Sequence, residues 1–241
     1  MGVARLGALG RARVIAALRF GLFALLFGLA TVPIYLVTAL AELLSPGAIH
    51  DGARVWGRLF RELAQGVLGI RLVVAGIVPR GPVIVAGKHQ SVYETLALLD
   101  ILSSPAIVFK RQLLAVPLWR FFARRHSSMP VDRDASASAL RGMVKVAREA
   151  VRGAQAILIF PEGERVAVGA APPIKPGVAA LYQLLKLAVV PMTLDSGRVW
   201  PKSGLPCAGT VTMRFLEPIV PGLEREAFEA RLHAALNGAS A

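Results

Sequence analysis

The sequence is poor in cysteine and poor in charge. Cys207 is the single cysteine among 241 residues, so no disulfide can form within the chain, which fits a reducing cytoplasm. The sequence has no Cys/His cluster at zinc-ligand spacing, and we therefore expect no metal site. Charged residues make up 18% of the chain and hydrophobic residues 55%, which excludes a disordered protein and is typical of one folded domain. We find no internal repeat and no low-complexity linker.

Acidic residues are scarce relative to basic ones. The chain has 28 Lys and Arg residues against 15 Asp and Glu, a formal net charge of +13, which predicts an anionic partner. Nucleic acid is one candidate, but the sequence carries no helix-turn-helix, zinc or RNA-binding signature and contains a long apolar segment. The combination of apolar and basic residues favours a phosphate-bearing lipid surface, and we expect no nucleic-acid partner.

The apolar segment runs from Phe20 to Ala41 and contains 22 residues without a charge. As a helix it would measure about 33 Å, enough to cross a bilayer. Such a core is longer than that of a secretory signal peptide, which is the alternative interpretation. Pro33 lies inside the segment and favours a kink or a re-entrant hairpin. Four arginines precede the segment and favour a cytoplasmic N-terminus: Arg5, Arg11, Arg13 and Arg19.

A second helix is predicted over Asp51 to Val67, with its apolar residues on one face and its arginines away from the centre of that face. A basic amphipathic helix of this type lies in the headgroup region of a membrane. A helix that packs in the protein core is the alternative. We therefore predict an N-terminal two-helix membrane-binding element in residues 1–67, dipping into one leaflet, with residues 68–241 as a domain on the cytoplasmic side.

Short apolar runs alternate with helix-length segments over residues 68–241, which predicts an α/β domain with a mixed, partly parallel sheet flanked by helices. The predicted strands are Arg71–Ala75, Val83–Ala86, Ala106–Phe109, Ala156–Phe160, Val189–Leu194 and Thr210–Phe215. The predicted helices are Val92–Leu102, Gln112–Arg124, Ala135–Val151, Val178–Leu187 and Glu224–Leu236.

His89 is predicted to lie at a strand-to-helix turn, with Glu94 in the first turn of the following helix. From that position Glu94 can fold back to the imidazole, fix its tautomer and support the imidazolium, which would form a general-base pair. The alternative is a capping box, in which Ser91 and Glu94 bond only to the amides at the start of the helix. The spacing of the residues alone leaves both interpretations open.

A second candidate site follows the strand that ends at Phe160. The turn 161–165 carries Glu162, Gly163 and Arg165, where Gly163 permits close approach of the backbone to a ligand and Arg165 can clamp a phosphate. Arg133 and Lys110 come at the ends of other apolar runs. The alternatives are a salt-bridged turn and ordinary solvated charges.

Together these residues resemble the glycerolipid acyltransferase family, specifically the bacterial 1-acylglycerol-3-phosphate acyltransferases. The resemblance spans about residues 50–236 and rests on four motifs in order. They are His89-Gln90-Ser91-x-x-Glu94, Lys110 through Val131-Asp132-Arg133, Phe160-Pro161-Glu162-Gly163-Glu164-Arg165, and Val190-Pro191-Met192-Thr193. Lys175-Pro176-Gly177 matches a Lys-x-Gly step of the family. The chain departs from the usual pattern at three positions, where the family has Asp for Glu94, Asn for Lys88 and Thr for Glu164.

The resemblance implies an acyltransferase in which His89 is the general base and Glu94 its partner. Arg133 and Arg165 would hold the phosphate of the acceptor, Glu162 and Gly163 would shape the turn beside it, and Lys110 and Lys175 are further binding candidates. The implied reaction moves an acyl chain from acyl-CoA or acyl carrier protein to the sn-2 hydroxyl of lysophosphatidate, without a cofactor, at the cytoplasmic face of a bacterial inner membrane.

Two alternatives to this function remain. The same chemistry can serve another acceptor, such as a lyso-ornithine lipid or glycerol 3-phosphate. A non-catalytic membrane protein that binds anionic lipid would also explain the charge and the apolar segment.

Overall fold

The computed structural model describes residues 2–115, 117–131 and 137–238. Its first element, α1 (Gly2–Leu44), is a single helix of 43 residues that continues through Pro33, so the chain forms no re-entrant hairpin there. A turn at Gly47, where φ is 101°, leads into α2 (Ala48–Leu63), and the last turn of α2 widens into a π-helical turn at Ala64–Leu68. Two helices therefore precede the sheet, as the sequence predicts.

The sheet has seven strands in the order β1-β7-β6-β2-β5-β3-β4. Their bounds are β1 (Ile70–Ala75), β2 (Ile84–Gly87), β3 (Ala106–Lys110), β4 (Met129–Val131), β5 (Ile157–Ile159), β6 (Val189–Leu194) and β7 (Gly209–Phe215). Strands β2 to β6 are mutually parallel. Strand β7 pairs antiparallel with β6, and β1 pairs parallel with β7. The predicted mixed, partly parallel sheet is confirmed. The six predicted strands did not include β4, a three-residue edge strand that contains Pro130, a residue type disfavoured in strands.

Five helices follow the first two: α3 (Tyr93–Ile101), α4 (Pro117–Arg125), α5 (Ala137–Arg152), α6 (Pro176–Leu185) and α7 (Arg225–Gly238). The prediction of one helix over Gln112–Arg124 was wrong, because Arg111–Ala115 forms a 3₁₀ helix and α4 begins separately at Pro117. Proline lacks an N–H and disfavours the helical conformation in the residue before it, which explains why the helix starts there.

The helices form a layer on each face of the sheet. Alternate residues of β2 point to opposite faces, so Ile84 and Ala86 share a core with α5, α6 and α7, while Val85 shares a core with α3 and with the neighbouring side of α2. A third cluster joins α1 to α2 and α3 through aromatic rings, among them Phe23, Phe60, Tyr93 and Trp200. The sheet thus separates α1, α2 and α3 from α5, α6 and α7.

Helix α1 buries little of its surface. Of its apolar stretch, Arg13–Leu44, only 6% is buried, and by length and composition this stretch could cross a membrane. The large apolar side chains on its outer face are exposed. From Val14 through Leu22 their exposed fraction is at least 49%. It lies between 58% and 64% for Leu25, Leu29, Val32, Leu36 and Leu40. An apolar surface this extended is typical of a face that contacts lipid or another protein.

Candidate active site

The candidate residues gather at one edge of the sheet. Carboxyl ends of parallel strands meet at the same edge, and here β2 leads to His89, β5 leads to Glu162, and β3 ends at Lys110. Strand β6, also parallel to β2, leads to Ser196 at this edge. The fold therefore brings together segments that are more than 100 residues apart in the chain.

His89 is held between a carboxylate and an aromatic ring. Its Nδ1 lies 2.9 Å from Glu94 Oε1, and its ring stacks on Phe160 with centroids 4.1 Å apart and planes 15° apart. Since a carboxylate only accepts hydrogen bonds, Nδ1 carries the proton and donates it to Glu94. The lone pair of the imidazole is then on Nε2, for which no hydrogen bond exists within the described residues. The side chain is 19% exposed, so this nitrogen is open to a substrate.

Glu94 caps the helix and contacts the imidazole at the same time. Its Oε1 also accepts hydrogen bonds from the backbone N–H groups of Gln90 and Ser91, both at 2.7 Å. Its Oε2 accepts a fourth hydrogen bond, from Ser196 Oγ at 2.7 Å, and the residue is completely buried. The contacts expected from both interpretations are therefore present in one carboxylate, so Glu94 does not bond to the helix amides alone, and its role in a general-base pair stays a prediction.

Ser196 and Gln90 support this arrangement but were not candidates from the sequence. Ser196 is completely buried in a 3₁₀ turn, and Gln90 Oε1 accepts a hydrogen bond from the N–H of Gly197 at 3.1 Å. These two bonds fasten the turn after β6 to the turn after β2. Residues 195–197 have no sequence signal beyond that of an ordinary turn.

Glu162 is directed at the backbone of His89 and not at the solvent. Its Oε2 accepts a hydrogen bond from the N–H of His89 at 2.8 Å, and its Oε1 lies 3.6 Å from Lys88 Nζ. Burial raises the pKa of Glu162, and the hydrogen bond from His89 and the charge of Lys88 oppose that effect. Its contacts are those of a residue that positions His89.

Lys88 points away from the imidazole and into the body of the protein. Only 6% exposed, it donates to the carbonyl oxygen of Ala170 at 2.6 Å and to Asn237 Oδ1 at 2.7 Å. Together with Glu162 these contacts connect α7 and the loop 166–174 to the residue before His89. The sequence marks Lys88 as a departure from the family, but nothing in it indicates Asn237 as a partner.

Arg165 and Gly163 lie beside His89. The carbonyl oxygen of His89 accepts a hydrogen bond from the N–H of Val166 at 2.8 Å, which places the preceding Arg165 next to the imidazole segment. Gly163 has φ of 75°, a conformation that favours glycine. Within the described chain the guanidinium of Arg165 has no ion pair, whereas Glu164 lies 3.7 Å from Lys202.

Lys175 is close to this turn. A Cβ on Gly163 would lie 3.3 Å from Lys175 Cγ, and the N–H of Lys175 donates to Pro161 at 2.8 Å as α6 begins. Lys110 is exposed at the end of β3, two strands from β2. Arg133 lies outside the described residues, two positions after the end of β4.

This geometry allows general-base catalysis. An imidazole with one nitrogen fixed on a carboxylate and the other open to solvent can take a proton from a hydroxyl group. Positive side chains next to it can hold an anion. Over the described ranges, no three His, Cys, Asp or Glu side chains converge to form a metal site.

Comparison with solved structures identifies the fold. The crystal structure of the 1-acyl-sn-glycerophosphate acyltransferase from Thermotoga maritima superimposes with a TM-score of 0.76 over 92% of this chain and 95% of that one, at 20% sequence identity. This match extends through the N-terminal helices as well as the sheet.

Sequence comparison supplies the family. The 1-acyl-sn-glycerol-3-phosphate acyltransferase of Pseudomonas aeruginosa is 34% identical over 151 residues, which are 62% of this chain and 59% of that protein. The human 1-acyl-sn-glycerol-3-phosphate acyltransferase beta is 26% identical over 141 residues, 57% of this chain and 51% of that protein. The matched regions span less than two thirds of these curated relatives. The acyltransferase family model matches residues 71–195, a segment that contains His89, Glu94 and Arg165. The chain therefore belongs to the acyltransferase family.

Proposed function

We propose that this protein is a 1-acylglycerol-3-phosphate acyltransferase, which moves an acyl chain from acyl-CoA or acyl carrier protein to the sn-2 hydroxyl of lysophosphatidate. The observation that carries the proposal is the 2.9 Å contact between His89 and a buried Glu94, at the strand edge that also holds Arg165. The relatives named above bear this activity in their names.

The proposed reaction begins when His89 Nε2 takes the proton of the acceptor hydroxyl as its oxygen attacks the thioester carbonyl. The negative charge of Glu94 stabilises the imidazolium that forms. The tetrahedral intermediate then expels the thiolate, and the imidazolium returns the proton to it. The products are phosphatidate and a free thiol. General-base assistance contributes about 10² to 10⁴ in rate, and correct positioning of the two substrates adds to this.

The residues available for covalent catalysis have other roles. Ser91 Oγ accepts a hydrogen bond from the N–H of Tyr93 at 3.2 Å, so it serves as a helix cap. Cys207 is an exposed thiol that contacts the carbonyl oxygen of Val199, outside the motifs around His89. We therefore propose direct transfer without an acyl-enzyme.

Arg165 and Arg133 are proposed to hold the phosphate of the acceptor, with Lys175 and Lys110 adding positive charge at the same edge. A different acceptor would change this requirement. Replacing Arg165 by Ala should raise KM for lysophosphatidate, whereas a phosphate-free acceptor such as a lyso-ornithine lipid should respond little. A matrix of acceptors, including glycerol 3-phosphate, assayed with both thioester donors distinguishes the candidates.

The N-terminal helices are proposed to bind the cytoplasmic face of a bacterial inner membrane. Phe20, Phe23, Phe27 and Tyr35 of α1 all contact rings of the rest of the protein, over a helix length of about 22 Å. The body therefore lies alongside α1, and only the outer face of the helix is free for lipid. This supports a helix that lies in one leaflet and not one that crosses both.

The decisive experiment measures thiol release by purified protein with lysophosphatidate and a thioester, in detergent micelles. We expect His89→Ala to abolish release without unfolding the protein, while His233→Ala, at a partly exposed histidine of α7, leaves it intact. Unchanged thiol release in His89→Ala would refute the assigned base. If the unaltered protein also forms no phosphatidate, the results favour the non-catalytic lipid-binding alternative.

A further inference from the structure

Helix α5 presents a basic stripe that the proposed reaction does not use. Arg141, Lys145, Arg148 and Arg152 are all exposed and follow one another at intervals of four, three and four residues. At 100° per residue these positions fall within about 60° of the helix circumference. None of the four forms an ion pair with the part of the chain that the structure describes, and Glu149 is the one acidic residue of the helix.

The stripe borders an apolar groove between α5 and α6. The groove has a volume of about 560 Å³, and Leu140, Val144 and Leu184 contribute its apolar lining. Leu184 is 50% exposed, on the side of α6 opposite to the residues that the helix buries in the core. An apolar floor with a charged rim suits an amphipathic helix of a protein partner, whereas a nucleic-acid backbone would need only the charge.

The groove faces away from the apolar surface of α1. Helix α5 packs on the sheet face that carries Ile84 and Ala86, while α3 packs on the opposite face and α1 joins that layer. Packed layers are about 10 Å apart, so the α5 layer lies about 20 Å from the α3 layer. The Debye length at physiological salt is about 8 Å. Salt would therefore screen the basic stripe from the charges of a membrane that contacts α1. This favours a soluble partner.

The same groove begins near the candidate active site. Strand β4 ends at Val131, at the edge of the sheet where Lys110 and the His89 segment also lie, and α5 starts six residues later at Ala137. Arg141 is therefore close to the active-site edge, and Arg152 is at the far end. A partner on the first turns of α5 would lie at the same edge of the sheet as His89, on the side of β4, which is three strands from β2.

We propose that the α5 groove, defined by Leu140, Arg141, Val144, Lys145, Arg148, Glu149, Arg152 and Leu184, docks an acidic amphipathic helix of the soluble carrier protein that delivers the acyl chain as a thioester. The inference rests on the proposed function, because it assumes a thioester donor. The basic rim attracts the carboxylates of the carrier, and the apolar floor receives a hydrophobic side chain of its helix. Coenzyme A offers no such helix and so does not need this surface.

The test compares two donors in two matched double variants. Arg141→Glu/Arg148→Glu reverses two charges on the groove, and Arg71→Glu/Arg214→Glu makes the same change in net charge on β1 and β7, at the other end of the sheet. We expect kcat/KM with acyl carrier protein as donor to fall at least about tenfold in the groove variant, equivalent to about 1.4 kcal/mol. With acyl-CoA both variants should stay within about twofold of the unaltered protein, because rim charges act through partner association.

Three kinetic outcomes would overturn the proposal: an equal loss with both donors, no loss with either, or an unaltered protein that uses acyl-CoA alone. Loss of vesicle binding in the groove variant would assign the surface to lipid instead. If no donor supports turnover, the proposed function fails, and docking is judged separately from the binding of labelled acyl carrier protein. Weaker binding by the groove variant then supports the docking surface, and equal binding by all three proteins refutes it.

Discussion

Replacement of Glu94 by Gln separates the charge of this residue from its shape. In the variant we expect the amide oxygen to take the place of Oε1. The three N–H groups of His89, Gln90 and Ser91 point at that position and need an acceptor, which an NH₂ group is not. The NH₂ group then faces Ser196 Oγ, which can accept. The variant keeps its hydrogen bonds and the tautomer of His89, and loses only the negative charge.

The expected loss of activity follows from the geometry of the pair. With Nδ1 and Oε1 2.9 Å apart, the centres of charge of imidazolium and carboxylate are about 4 Å apart, where the attraction is about 4 kcal/mol at an effective dielectric constant of 20. That energy corresponds to about 10³ in kcat. Stability should fall by about 2–4 kcal/mol, because hydrogen bonds to a charged group become neutral ones. A protein of ordinary stability stays folded after such a loss.

The assay is thiol release, together with thermal unfolding. Glu94→Asp keeps the charge and should retain measurable activity, although its shorter side chain cannot satisfy all four donors. Ser196→Ala removes one donor and leaves the contact with His89, so activity should change only a few-fold. The reasoning would be refuted if Glu94→Gln and Glu94→Asp lost the same activity, and if that loss followed their loss of stability. Glu94 would then have the capping role alone.

Three further predictions concern the surroundings of the site. Lys88→Met should destabilise the protein by about 3–5 kcal/mol, since it leaves the carboxylate of Glu162 buried without its cation, and adding Glu162→Gln should restore part of the loss in chemical unfolding. Acid should destabilise the protein through His126, whose pKa burial lowers to about 3. Below about pH 6.5 the imidazole of His126 binds a proton in the unfolded chain but not in the folded one. The free energy of unfolding therefore falls by about 1.4 kcal/mol per pH unit as the pH drops from 6.5 towards 3. Leu25→Glu/Leu29→Glu should release the protein from anionic vesicles in sedimentation, because it places two charges on the outer face of α1.

Matched variants control the last two of these predictions. His126→Asn removes the titrating ring, and its unfolding midpoint should depend less on pH. The neighbouring groups His50, Glu42 and Asp51 remain in both proteins. An identical pH slope would contradict the assignment to His126. Ile77→Glu/Val220→Glu adds the same two charges at exposed apolar residues outside α1 and should leave vesicle binding unchanged. Equal release by both variants would show that net charge, and not α1, controls binding.

Local patterns in the sequence predicted most of the fold and the centre of the site. Alternation of apolar runs with helical segments gave six of the seven strands. The spacing of His89 and Glu94 left a contact and a capping role open, and the resemblance to the family favoured the contact that the structure has at 2.9 Å. Both features depend on residues close together in the chain, so the family assignment could be made from the sequence and is confirmed by the family match.

Contacts between distant segments could not be predicted in this way. Ser196 reaches Glu94 across 102 residues, and Lys88 reaches Asn237 across 149. Both bonds depend on which strands are neighbours in the sheet and on where α7 packs, and a single sequence does not reveal either. A buried Lys next to a catalytic candidate is easily assigned to the site itself, whereas the structure turns it towards the C-terminal helix.

The arrangement of layers fits the proposed reaction, in which one site takes a membrane lipid and a water-borne thioester. A lysolipid is confined to the membrane, and α1 with its apolar outer face belongs to the layer that also contains α3. A thioester carrier arrives from water, and the basic groove of α5 belongs to the opposite layer. His89 lies at the carboxyl edge of the parallel strands, on the ring of Phe160 and between the two layers. A site in the middle of either helical layer would be open to only one of the two substrates. In the proposed reaction, the position of His89 at the strand edge would leave the imidazole accessible to a membrane lipid and to a soluble donor, in addition to being a position that parallel sheets commonly give to functional residues.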